Sequence, residues 1–247
     1  MSKLDFKYVE ETGSTNDDLL TLAEQGAAEG TAIAAGHQLQ GKGRRGRSWQ
    51  DESGQNALVS VLFRPDFGFS DFGLIAAVAA VAVMNVLCKD CHVHTKIKWP
   101  NDLLVGDYKI AGILTEGRQT ADGLAMAVGV GVNLCQTSFP SDLSSIATSV
   151  ALSGGMTGSP NVLSRLIASE ILSVWEKWNS GGRDSIFDQW VSNLWGIGRK
   201  VVVESLGEIF ECTIDGADPH GALRVLTNDG LIRTLVTTDW ISIYRKK

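Results

Sequence analysis

Residues 38–50 read QLQGKGRRGRSWQ and set four cations, Lys42, Arg44, Arg45 and Arg47, among three glycines, Gly41, Gly43 and Gly46. Glycines let backbone N–H groups turn toward one point, and guanidinium forks grip a carboxylate or phosphate through two bonds at once. A loop of this kind can close over a small anion. It is also a literal G-x-G-x-x-G, but a dinucleotide fingerprint needs a strand before it and a helix opening inside it. TAIAAGHQ supplies the strand, whereas RSWQDESGQN has no apolar stripe at helical spacing. The plainer alternative is a solvated basic loop, since charge runs usually face water.

Three further stretches carry reactive or polar groups. KWPND at 98–102 could be a simple turn, yet an aromatic, an amide and a carboxylate at a strand end also suit a Mg²⁺-nucleotide site. Lys109 opens the apolar stretch YKIAGILTE. Edge lysines are usually solvated; the sharper reading is a lysine aimed into a cleft, brought by strand pairing beside Asp102. Ser14, Thr15 and Asn16 in GSTN form a helix cap or offer hydroxyls and an amide to a polar, uncharged ligand. CKDCH at 88–92 has the form of a haem attachment site, and His94 follows. Without export, and without the usual zinc-ligand spacing, a helix end packed in a reducing compartment is expected there.

The chain that positions these groups has 247 residues, 44% of them hydrophobic and 20% charged, with a formal net charge of −6. It is long enough for a core without staples. An acidic balance argues against a general nucleic-acid binder; the basic loop is a local feature. Four cysteines are too few for a disulfide framework. The N-terminus shows no apolar export region. The segment 72–88 is Ala/Val-rich and interrupted by Asn85, which reads as a buried helix rather than a span. A cytoplasmic protein with no membrane partner is expected.

Periodicity predicts a strand at 6–9, a helix from Thr15 ended by Gly26, a strand at 31–38 and a strand at NALVSVLF before Pro65. The helix 72–88 follows. Residues 93–117 read as strand, proline turn, strand, a Gly106-Asp107 hairpin turn and strand, then GLAMAVGVGVNLC as another. Residues 137–160 read as loops flanking a short helix. Two helices, 161–180 and 183–195, come next. From residue 200 the pattern alternates with period two, with turns expected at Gly207, Asp215-Gly216, His220-Gly221 and Asp229-Gly230. That predicts four or five short strands forming a small β-barrel, with a boundary near Gly196-Ile197-Gly198. The expected division is 1–196 and 197–247.

Each motif alone is weak, but their order is specific. GSTN, Q-x-x-G-K-G-R-R-G-R-x-W, KWPND, KIAGIL and G-x-G-x-N at 129–133 together closely resemble the biotin–protein ligases, over about residues 8–135. The resemblance implies an α+β fold: a mixed sheet with flanking helices related to class II aminoacyl-tRNA synthetases, plus a small C-terminal SH3-like β-barrel. It implies activation of biotin with MgATP to biotinyl-5′-adenylate and transfer to one lysine of a biotin carboxyl carrier protein domain. Catalytic roles fall on Lys109 and Arg44. Biotin contacts fall on Ser14, Thr15, Asn16, Gln38, Gly41, Lys42, Gly43, Arg44, Lys109 and Gly112. Contacts to ATP or the adenylate fall on Arg44, Arg45, Arg47, Trp49, Asn101, Asp102, Lys109 and Asn133, with Asp102 as the Mg²⁺ ligand. Neutral hydroxyl and amide groups suit a ureido ring, and paired cations offset repulsion between carboxylate and α-phosphate. The basic loop becomes a lid for an acyl phosphate. Lys42 stands where arginine is also common. GSTN begins at residue 13, so no N-terminal DNA-binding domain and no repressor activity are expected; the protein is expected to be a monomer or homodimer. The alternatives are a lipoate or octanoate acyltransferase on the same scaffold and a non-enzymatic nucleic-acid module.

Overall fold

In the computed structural model, residues 3–65, 72–238 and 240–243 are described. Seven strands form a mixed sheet in the order β1-β2-β3-β7-β6-β5-β4. They are β1 (Asp5–Thr12), β2 (Thr31–Gln38), β3 (Asn56–Phe63), β4 (Lys96–Lys98), β5 (Asp102–Val105), β6 (Tyr108–Thr120) and β7 (Gly123–Asn133). Only β1 and β2 run parallel, joined through helix α1 (Thr15–Glu24); the other pairings are antiparallel. Edge strand β1 alternates exposed charges such as Lys7 and Glu11 with half-buried Phe6 and Tyr8, a pattern that discourages further pairing.

Strand alternation assigns the two faces. In β3, Ala57, Val59, Val61 and Phe63 join the main core, while Leu62 joins Leu19, Leu20 and Ala23 under α1. In β7, Met126, Val128, Val130 and Val132 face the main core, while Ala125 and Ala127 lie under α1. The main core is covered by α2 (Phe72–Cys91) and α3 (Pro160–Lys177), followed by α4 (Arg183–Ser192). Helix α2 is long and apolar enough to cross a membrane by composition, but most of it is buried here, with Ala79, Ala80, Val81, Ala82 and Val83 at 0% exposure. It runs three residues past the expected end, so Cys91 is packed inside and burial pushes its thiol up to about 11.

The C-terminal segment forms a five-stranded antiparallel sheet, order β11-β10-β9-β8-β12. Its strands are β8 (Lys200–Ser205), β9 (Glu208–Ala217), β10 (Leu223–Thr227), β11 (Ile232–Leu235) and β12 (Trp240–Ile243). The turn expected at Asp215-Gly216 is not one. Arg224 pairs with Gly216 and Val225 with Ile214, so Asp215 is the extra residue of a bulge inside β9. Glycine serves the bulge as well as it would a turn, because Gly216 sits at φ +145°. The short helix expected within 137–160 is a run of turns, with the Leu143 and Ser144 amides both donating to the Pro140 carbonyl. The two sheets meet where the buried Trp99 indole donates to the Gly221 carbonyl, 2.9 Å away.

Candidate active site

Beyond the N-terminus of α1, the small-residue face of the sheet is left open and floors a cavity of about 1050 Å³. The alternation that puts Val128, Val130 and Val132 into the core puts Gly129 and Gly131 on this floor. Side chains there would collide with what lies above: a Cβ on Gly129 would come 2.5 Å from Asn16 Oδ1, and one on Gly131 2.5 Å from the Trp49 indole.

At one end the walls are neutral and polar. Ser60 of β3, which alternates with Leu62 toward α1, is 0% exposed. Its hydroxyl lies 2.7 Å from Thr15 Oγ1 and 2.6 Å from Asn16 Oδ1. Thr15 donates both its amide (2.8 Å) and its hydroxyl (2.9 Å) to Gln38 Oε1. Asn16 Nδ2 donates to Glu116 Oε2 (2.7 Å) and the Leu114 carbonyl (3.3 Å). With Asn16's amide protons committed, its oxygen faces Ser60. A serine hydroxyl carries one proton, so two acceptors share it. Ser60 thus braces from behind the Thr15 and Asn16 side chains that, with Ser14 and Gln38, line this end of the cavity.

At the other end the walls are cationic. A β-bulge makes this possible. Asp102 pairs with Gly112 and Leu103 with Ala111, but Leu104 pairs with Lys109, leaving Ile110 as the extra residue. Strict alternation from Gly112 would have put Ile110 in the cavity and Lys109 in the core; the bulge restores Lys109 to the cavity side. Its backbone is fixed by bonds to Ile146 and Thr148, each 2.8 Å. Lys109 Nζ lies 2.7 Å from Asp102 Oδ1, the pairing the sequence suggests, and 5.4 Å from the Trp49 ring centre. Arg44 Nη1 donates to Asn101 Oδ1 at 3.3 Å. Asn101 is itself held by Nδ2 donating to the Ile113 carbonyl at 2.8 Å. Burial works first against the Arg44 charge, and Arg45 and Arg47 add to this, opposed by Asp102. Lys98 Nζ stands 5.6 Å from the Trp195 ring centre, and its pKa is lowered, mainly by burial. A crowd of positive groups that depress one another is relieved by an anion.

The basic loop is a small hairpin over this cavity. The Trp49 amide donates to Gly41 O (2.9 Å) and the Gly43 amide to Arg47 O (2.7 Å). The tip, Arg44–Gly46, is a single 3₁₀ turn with Arg45 at φ +58°. Lys42 Nζ reaches Asp17 (2.5 Å) and Glu116 (3.7 Å), tying one root to α1 and β6. Arg45 donates to Thr237 Oγ1 at 3.1 Å, tying the tip to the C-terminal sheet. The Trp49 indole lies across Gly112 and Gly131, and its buried Nε1 has no hydrogen-bond partner among the described residues.

Of the expected residues, Ser14, Thr15, Asn16, Gln38, Lys42, Gly43, Arg44, Arg45, Arg47, Trp49, Asn101, Asp102, Lys109 and Gly112 line the cavity together. Two stand behind it. Gly41 is buried under Trp49, where a Cβ would meet the Trp49 carbonyl at 2.6 Å. Asn133 is 5% exposed and spends its side chain on Thr148 O (2.9 Å) and Asn56 Nδ2 (3.2 Å), tying β7 to the 148–150 segment. Sequence reasoning missed Lys98, which lines the cavity, and Ser60 and Glu116, which hold Asn16 without lining it themselves. The signal for Ser60 is a hydroxyl inside the apolar run NALVSVLF, on the same face as Leu62.

Residues 8–133 match the model of the Biotin/lipoate A/B protein ligase family. The bifunctional ligase/repressor BirA of Bacillus subtilis is 32% identical over 231 residues, covering 91% of this chain and 70% of that protein. The biotin–[acetyl-CoA-carboxylase] ligase of Paracoccus denitrificans is 32% identical over 218 residues, covering 86% and 90%. The biotin protein ligase from Aquifex aeolicus, solved in complex with biotin and ATP, superposes with a TM-score of 0.83 at 23% identity, covering 98% and 99%. Open glycine floor, cationic lid and paired Lys109–Asp102 thus occur in a chain that belongs to the Biotin/lipoate A/B protein ligase family and, within it, to the biotin–protein ligases.

Proposed function

We propose that this ligase joins biotin to ATP as biotinyl-5′-adenylate and then passes the biotinyl group to a lysine of a biotin carboxyl carrier domain. The observation that carries the reading is the division of one cavity into a polar end of hydroxyls and amides at Ser14, Thr15, Asn16 and Gln38 and a cationic end at Arg44, Lys98 and Lys109. A cyclic urea brings N–H donors to the first. A carboxylate and a triphosphate bring charge to the second.

In the first half-reaction a biotin carboxylate oxygen bonds to the α-phosphorus, and the bond to pyrophosphate breaks. Both partners are anions. Lys109 and Arg44 lower their repulsion and stabilise charge gathering at phosphorus. Asp102 holds Lys109 in place, and Gly112 is the small neighbour that an apolar valeryl chain needs. In the second half-reaction the acceptor amine bonds to the acyl carbon, AMP leaves, and the amine's proton is lost to solvent. The lid hairpin excludes water until then.

Among the described residues no three His, Cys, Asp or Glu side chains converge as a metal cage. Asp102, a carboxylate on the cavity wall, is the protein group that would hold a Mg²⁺ brought by nucleotide phosphates. When bound, the ion neutralises triphosphate charge. A lipoyl or octanoyl group has no ureido N–H or C=O to bring to the polar wall of Ser14, Thr15, Asn16 and Gln38, so transfer of those acyl groups is the weaker reading.

The test is incubation with biotin and MgATP, without a carrier, followed by mass spectrometry for biotinyl-5′-adenylate. Product that requires all three components supports activation; biotin binding without adenylate refutes it. Arg44→Gly is expected to leak adenylate and label bystander lysines, and undiminished retention would remove Arg44 from that role.

A further inference from the structure

The lid's return arm is held by two residues that the ligation chemistry does not use. Asp51 lies two residues past Trp49, and its carboxylate side chain is 1% exposed. It accepts a hydrogen bond from His37 Nδ1 at 2.8 Å, and the Gln38 amide lies 3.4 Å from the same oxygen. His37 and Gln38 end β2, and Gln38 is the residue that accepts both Thr15 bonds on the cavity wall. One carboxylate therefore joins the arm of the lid to the polar end of the cavity. The Gly54 amide, donating to Gly36 O at 2.9 Å, seats the rest of the arm on the same strand.

A buried carboxylate is costly unless it is paired and hydrogen-bonded. Here the partner is an imidazole that is 28% exposed and able to exchange protons with solvent. Two acidic groups face its ring: Asp51 from the arm and Glu11 from β1, its pairing partner in the register. The Asp51 hydrogen bond raises the His37 pKa above the ordinary histidine value; burial opposes, and the two carboxylate charges add to the rise.

We infer that His37 and Asp51 are positioning residues which hold the lid hairpin down over the cavity, and that the hold is strongest when His37 is protonated. This rests on the adenylate-forming reading above. Because the histidine pKa is raised, the charged pair is complete below the ordinary histidine value and is lost as pH rises through the raised one. Above it, the neutral ring can still donate Nδ1–H, but the weaker bond leaves the arm freer to lift. Adenylate retention should therefore fall with rising pH while adenylate formation, which uses Lys109 and Arg44, changes little by this route.

The experiment has two readouts on wild type, Asp51→Asn and His37→Gln. The first is release of labelled biotinyl-adenylate from the enzyme, followed by rapid gel filtration. The second is trypsin cleavage within the lid at Lys42, Arg44, Arg45 and Arg47, normalised at each pH to a small peptide substrate; it needs no ligand. Between about pH 6 and about pH 8.5, on either side of the histidine range, wild-type release and lid cleavage should each rise about fivefold, the step from a charged to a neutral hydrogen bond. Both variants should release and be cleaved at the fast rate at both pH values, with circular dichroism unchanged to show that they fold. Asp51→Asn and His37→Gln retaining the wild-type pH dependence would overturn the proposal, as would flat wild-type profiles. If no adenylate forms in wild type, the functional reading fails by itself, and the trypsin series still decides whether this pair controls the lid.

Discussion

Ser60→Ala isolates the polar end of the cavity with the loss of one oxygen atom. Ser60 is fully buried on β3, and its proton is shared between Thr15 Oγ1 and Asn16 Oδ1. Alanine fits the same space, so no clash or large cavity complicates the result. What changes is that two buried acceptors lose their shared donor, and leaving such a group unsatisfied costs about 1–3 kcal/mol. Part of that cost falls on the fold: each 1 kcal/mol lowers Tm by about 2–4 °C in a chain of this size. The rest falls on the ligand, because Thr15 and Asn16 would turn to other partners. A full transfer of the cost to binding weakens biotin about 5- to 150-fold in Kd. Isothermal titration calorimetry with biotin and differential scanning calorimetry measure the two parts. Ser164→Ala is the control. Ser164 is equally buried, on α3, and its hydroxyl has no partner among the described residues. Removing it should leave biotin binding alone and leave Tm unchanged or raised. Biotin affinity within twofold of wild type in Ser60→Ala, with a lowered Tm, would refute a ligand-positioning role for this network and leave it purely structural.

Lys109→Gln should lower adenylate formation by about 10²–10³, the range for removing one group aimed at developing charge, in a stopped assay for adenylate; a loss under tenfold would move the main charge to Arg44 and Lys98. Gly131→Ala should drive the Trp49 indole off the floor, since its Cβ would come 2.5 Å from Trp49 Cε2; overpacking of this kind costs about 1–3 kcal/mol, read as a lower denaturant midpoint together with faster lid proteolysis. At about pH 8, native protein should be alkylated at the half-buried Cys88 and Cys135 well before Cys91 and Cys212, whose thiols are buried and held near 11; peptide mapping after brief iodoacetamide treatment distinguishes them, and early labelling of Cys91 would show that the end of α2 opens.

The site was legible in the sequence because its chemistry sits in short, ordered motifs whose residue types leave little choice. Lys109 and Asp102 could be paired from the hairpin alone, since Gly106-Asp107 fixed where the chain turned back. Which face Lys109 would take could not be read, because that depends on the Ile110 bulge, and bulges are set by how two strands fit rather than by either one. The same gap explains Asp215-Gly216, where a glycine signal is shared by turn and bulge. Gly41 and Asn133 have the types expected of ligand contacts, and only three-dimensional packing shows them supporting the lid root and β7 from behind. Ser60 and Asp51 were invisible for the opposite reason: each is a single polar residue whose partner comes from a distant part of the chain, Asn16 and Thr15 for one, His37 for the other.

The glycine floor has a consequence for how this cavity can change. Where β7 passes beneath the lid, Gly129 and Gly131 present main chain instead of side chains. The bottom of the pocket therefore has almost no vocabulary of substitution: any larger residue collides at once with Asn16 or Trp49. Its contour is written by the twist and spacing of β6 and β7, which the hydrophobic core on the other face locks in place through Val128, Val130 and Val132. A lineage of such chains drifting toward a bulkier or slimmer acid would have to redraw the ceiling, residues 41–50, while the ground stayed fixed. Selectivity in this architecture is then inherited from below and revised from above.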